Sequence, residues 1–76
     1  AHVQIEAPDN ALMQDMIIKQ FRDRHLIVAK PVVAYLARRI ERSAKAARNI
    51  VDQLDRISRS EAHGITIPLI REHVKF

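Results

Sequence analysis

Residues 31–58 read PVVAYLARRIERSAKAARNIVDQLDRIS. Wound at 3.6 residues per turn, the half from Ser43 to Ser58 gathers Ala44, Ala47, Ile50, Val51, Leu54 and Ile57 on one side. Lys45, Asn49, Asp52, Gln53 and Arg56 fall on the other side. No Gly or Pro interrupts this stretch, and the alanines of its first turns favour helix and let a neighbour approach closely. Glu41–Lys45, Asp52–Arg56 and Asp55–Arg59 are acid-before-base pairs at i,i+4, each adding about 0.2–0.5 kcal/mol on a helix. A helix is therefore expected here, and the rest of the chain must pack against it. The half before it carries Val33, Leu36, Ala37 and Ile40 in the same apolar phase. Periodicity admits one helix from Pro31 to about Ser60 as readily as two. The local mark of a break is Ser43, a good N-cap residue, although no Glu or Gln follows three positions on to complete a capping box.

Upstream, Pro31 suits a first helical turn, where its missing amide costs nothing. Lys30 before it is expected to be pushed into extended geometry. His25 to Ala29 reads as a packed connector. An earlier helix is expected over about Asn10 to Arg24, capped by Asp9. Met13, Met16, Ile17 and Phe21 form its buried side, with Asp15, Lys19, Arg22 and Asp23 wet. Methionine in that pattern reads as core filling. Residues 1–8 read as a linker reaching the domain from outside, which leaves 9–76 as the domain itself. Downstream, Ser58 to Gly64 is a helix exit, with Gly64 free to take positive φ. Ile65-Thr66-Ile67 reads as a short β-like strip. Thr66 then caps a last helix beginning near Ile67-Pro68, with Leu69, Ile70 and Val74 facing in.

The chain has 76 residues, enough for one domain. Such a chain buries only about 60% of its unfolded surface, so its core is marginal alone, and a start without Met fits a piece of something larger. With 47% hydrophobic and 29% charged residues it is too apolar for disorder. It has no cysteine, which removes disulfides and thiolate metal sites. No apolar run reaches the length of a membrane span, and a soluble chain is expected. The net charge of +4 permits a polyanionic partner. With only three aromatic residues (Phe21, Tyr35, Phe76), a stacking surface for single strands is not expected, nor is direct DNA binding.

A single glycine excludes a phosphate-cradling glycine loop. His2, His25, His63 and His73 lack ligand spacing, so no metal site is expected. Asp52 and Asp55 lie beside bases, which favours structural ion pairing over acid–base work. No catalytic residue is expected in this chain. One constellation remains: Arg38, Arg42, Lys45 and Arg56 share the polar side of the central region, with Arg42 and Lys45 one turn apart and suited to hold a phosphate between them.

Pro8-Asp9-Asn10 before an amphipathic helix, LIVAKPVVAYLARRIERS over 26–43 and GITIPLIRE over 64–72 together resemble the C-terminal helical lid of the AAA+ ATPases that initiate bacterial replication. DQLDR at 52–56, with Ile65 to Pro68, is more similar to the Hda branch, regulators of DnaA, than to DnaA itself. The resemblance covers nearly the whole chain from about Ile5. It implies an all-α, four-helix lid-type bundle with a break near Arg42-Ser43. In the family, the third lid helix carries an arginine, the sensor 2 residue, that reaches nucleotide phosphates held by the preceding ATPase domain. Counting back from DQLDR puts Lys45 at that position, with Arg42 and Arg48 as neighbouring substitutes. Lysine keeps the charge but loses the planar fork of arginine. The resemblance further implies a bacterial cytoplasmic, nucleoid-associated parent that binds ADP or ATP and acts with DnaA and the DNA-loaded sliding clamp. Walker motifs, arginine finger and clamp-binding segment would lie upstream, and a homo-oligomer is admitted. Ending at Phe76 agrees with a relative lacking DnaA's DNA-binding domain. The contrasting reading is a histone-like basic DNA-binding dimer, which requires an uninterrupted helix through Ser43.

Overall fold

The computed structural model describes residues 9–76. The expected linker 1–8 lies outside the described residues. Four helices follow in order: α1 Asn10–Asp23, α2 Lys30–Arg39, α3 Ala44–Glu61 and α4 Ile67–His73. Among the described residues there is no strand, so the molecule is an all-α small bundle.

The question left open by periodicity resolves as two helices. Ile40 turns extended (φ −87°, ψ 160°) after its N–H closes the last turn of α2 on Leu36 O. Ser43 is extended too, and its Oγ accepts from the Ala46 N–H at 3.1 Å to open α3. The histone-like reading, with its continuous central helix, is therefore corrected. The physical reason lies in α1, which packs against both α2 and α3. At 1.5 Å per residue α1 is about 21 Å long, whereas one rod from Pro31 to Ser60 would run about 45 Å. Only a folded-back pair lets Leu36 and Ala37 of α2 and Ile50 and Leu54 of α3 share one core with Met13, Ile17 and Phe21 of α1. Ile70 and Val74 close that core from the α4 end.

Asp9 Oδ1 accepts the Leu12 N–H at 2.8 Å, and Thr66 Oγ1 accepts the Leu69 N–H at 3.3 Å, so both expected caps are present. Other expectations need revising. Lys30 is the first residue of α2, and Ala29 takes the extended geometry instead (φ −66°, ψ 148°). The Ala29 carbonyl accepts from Val32 and Val33, so closing that turn outweighs the modest pre-proline preference. Val32 joins Val33 in the core, while Met16 and Ile40 are only partly buried. In the connector, Leu26 and Val28 pack but Ile27 is fully exposed. Ala44, at the tip of α3, is exposed as well. The β-like strip at Ile65 to Ile67 has no pairing partner, and Ile67 instead starts α4.

Two helix ends turn through the left-handed region without glycine. His25 has φ 58°, with its N–H on Arg22 O and the Leu26 N–H on Phe21 O, the reciprocal pattern of a Schellman ending. Ala62 has φ 51° after α3, with the His63 N–H on Ser58 O. Gly64, expected to take that role, does not have positive φ. The chain reverses two residues earlier because the carbonyls that need a donor belong to the last turn of α3, and only position 62 presents its neighbour's amide to Ser58.

Candidate functional site

The cations singled out from sequence collect around the start of α3. Ser43 caps the helix; Lys45 lies in its first turn and Arg48 in its second. Separated by three residues, Lys45 and Arg48 differ by about 60° around the axis and about 4.5 Å along it. Arg42 is not on that helix. It stands in the irregular segment just before the cap, so the one-turn relation to Lys45 expected within a single helix does not apply. Arg38 lies in the last turn of α2. All four are exposed, and none has an acidic partner within 4.0 Å among the described residues. The expected Glu41–Lys45 pair is absent because Glu41 lies outside the helix, where i,i+4 spacing no longer brings the two together.

Electrostatically this crowding is unusual. A helix N-terminus carries a partial positive charge that favours acids. The first turn of α3 contains no acid at all. Cations placed there are disfavoured by the helix itself and are suited to receive an anion from outside.

Two turns further along, the pattern inverts. Arg56, grouped from sequence with the free cations, is bound to Asp52 Oδ2 at 3.0 Å. Arg59 Nε donates to Asp55 Oδ1 at 3.0 Å. Arg24, from the end of α1, places one Nη between Asp52 Oδ1 (3.2 Å) and Asp55 Oδ2 (3.1 Å). Each of the four carboxylate oxygens thus has its own cation contact. Asp55 is only 7% exposed and is the one buried charged residue among those described. Burying a carboxylate is costly unless it is paired and hydrogen-bonded, and here it is both. These acids are occupied in fastening α1 to α3. Sequence reasoning anticipated the i,i+4 pairs but missed Arg24, whose partners lie on a different helix and leave no trace in local spacing.

His63 Nδ1 lies 2.7 Å from Gly64 O, and His73 Nε2 lies 3.5 Å from Glu61 Oε1. Among the described residues, no cluster of three or more His, Cys, Asp or Glu is arranged to hold a metal ion. Nor is any described helix long and apolar enough to cross a membrane.

The family model described as "Hda, lid domain" matches residues 10–74. The chain belongs to the Hda lid-domain family. The matched span opens on the first residue of α1 and closes on Val74, the last buried residue, so it takes in all four helices. No curated protein and no solved structure matches the chain. Membership ties this Hda-type lid, at the level of the family, to AAA+ proteins related to DnaA and to the control of replication.

Proposed function

We propose that this Hda-type lid is the nucleotide-responsive cap of a DnaA-related AAA+ protein that regulates the initiation of chromosomal replication. In this reading residues 9–76 are the lid domain and 1–8 its linker from an upstream ATPase domain. That domain holds ADP or ATP, and α3 swings Lys45 toward the phosphates, with Arg42 and Arg48 beside it. The chain itself contributes binding and no catalytic residue; hydrolysis belongs to the parent. DnaA and the DNA-loaded sliding clamp are the parent's partners, in the bacterial cytoplasm.

One observation carries this reading: Arg42, Lys45 and Arg48 stand at a helix start whose dipole disfavours cations, with no acid within 4.0 Å among the described residues. Family membership supports a neighbouring ATPase domain as the source of the phosphate. A charge-assisted contact to phosphate is worth about 1.5–3 kcal/mol, enough to shift the lid between positions by about tenfold or more. Lysine supplies this as a point charge rather than a fork.

The test joins the lid to the nucleotide-binding domain of an Hda-type ATPase and measures ADP affinity. Lys45→Ala should weaken it about tenfold, and Lys45→Arg should preserve or tighten it. If Lys45, Arg42 and Arg48 can each become Ala with no change in affinity, the sensing role is lost.

A further inference from the structure

The three aromatic residues lie far apart in the sequence, and folding treats them differently. Phe21 goes into the core, while Tyr35 and Phe76 meet at the end of the bundle with ring centroids 6.4 Å apart and planes at 71°. The Arg39 guanidinium covers the face of Tyr35, 3.6 Å from the ring centre. Phe76 remains 56% exposed, its ring steadied by Tyr35. Beside it the end of α2, one flank of α3 and the extended segment after α4 enclose an open groove of about 340 Å³. The floor of the groove is apolar, made by Ile40, Ile50 and Val74. Its rim holds two cations, Arg39 and Lys75, and two carboxamides, Asn49 and Gln53, one turn apart on α3.

Against the expectation drawn from so few aromatic residues, we propose that this groove binds a short run of single-stranded nucleic acid. A base stacks on the exposed part of the Phe76 ring, as every base can, and phosphates on either side meet Arg39 and Lys75. Asn49 and Gln53 each offer donor and acceptor to a base edge. A duplex has its base faces closed and cannot use Phe76. An acidic peptide would satisfy the two cations but make no comparable use of an exposed ring beside paired carboxamides. Glu41 also lines the groove and opposes any polyanion, which makes it a probe of the proposal. The groove's lining leaves out Arg42, Lys45 and Arg48, although Lys45 lies one turn before Asn49 on α3.

The test is fluorescence anisotropy of the 76-residue chain with a labelled fifteen-nucleotide oligo-dT, beginning at about 50 mM salt. Two phosphate contacts predict a log–log salt slope of about −1.4, or about sevenfold weaker binding at 200 mM. Phe76→Ala should weaken binding about tenfold through loss of the stack. Lys75→Glu should weaken it at least fivefold, Glu41→Gln should tighten it about twofold, and Lys19→Ala, on α1, should change it less than twofold. Because Phe76 also steadies Tyr35, thermal melts accompany every variant. If Phe76→Ala unfolds, the exposed Lys75 carries the test alone. The proposal is overturned if Lys75→Glu leaves affinity unchanged, or if a folded Phe76→Ala binds like the parent. It is equally overturned if a duplex of equal length or poly-glutamate of equal charge binds as tightly as oligo-dT.

Discussion

The two halves of α3 use the same residue types to opposite ends. From Asp52 onward, every carboxylate oxygen of Asp52 and Asp55 is matched to a guanidinium, and two of those contacts come from Arg24 on another helix. At the other end, Lys45 and Arg48, and Arg42 just before the cap, have no acid within 4.0 Å among the described residues, and the two on the helix work against its dipole. One half spends its charge on holding the bundle together. The other leaves its charge uncommitted, at a small cost in stability. Charge that is neither paired nor favoured by its helix is the charge left over for a partner.

The contrast breaks most sharply at Asp55. Asp55→Ala should destabilise the chain by about 2 kcal/mol, because it removes the buried carboxylate that Arg24 and Arg59 share, although Arg24 keeps Asp52 and Arg59 stays solvated. At about 4–8 °C per kcal/mol for a domain this size, the melting temperature should fall by about ten degrees. A loss no larger than that of an exposed ion pair would mean that the joint between α1 and α3 does not rest on this network. Next in size is Ser43→Ala, which removes the cap at the elbow and should cost about 1 kcal/mol in denaturant titrations. Ala62→Gly should stabilise by about 1 kcal/mol, since the left-handed turn penalises a Cβ. Gly64→Ala, with open space around the added methyl and no positive φ to maintain, should be neutral or slightly favourable. A small but more discriminating effect is at Lys45. In the isolated chain Lys45→Glu should raise stability by about 0.3–0.5 kcal/mol, because an acid suits the helix start. A decrease of similar size would show that Lys45 serves the fold and not a ligand.

Much of the fold was legible in local chemistry. Asp9, Ser43 and Thr66 each accept a backbone N–H, and a short oxygen-bearing side chain before an apolar run signals that directly. The inner faces of α1 and α3 follow from periodicity, and Leu69, Ile70 and Val74 are buried as read. Less legible was where each helix reverses. His25 and Ala62 adopt positive φ because neighbouring carbonyls need donors, a demand that outweighs the residue's own preference. Of the candidate site, the cations were visible as residue types. That Arg56 is spent on Asp52 while Lys45 is unpaired depends on which side chains folding brings close.

The amino-acid sequence by itself determined the helical segments and most of their caps and buried faces, because these rest on contacts within about four residues. The tertiary structure decided whether the chain bends at Ile40–Ser43, which acids Arg24 engages, and that Tyr35 and Phe76 meet. At the bend the local energies are nearly balanced, a cap worth about 1 kcal/mol against a few helical hydrogen bonds. The balance tips only when both arms gain the same short α1 to bury against.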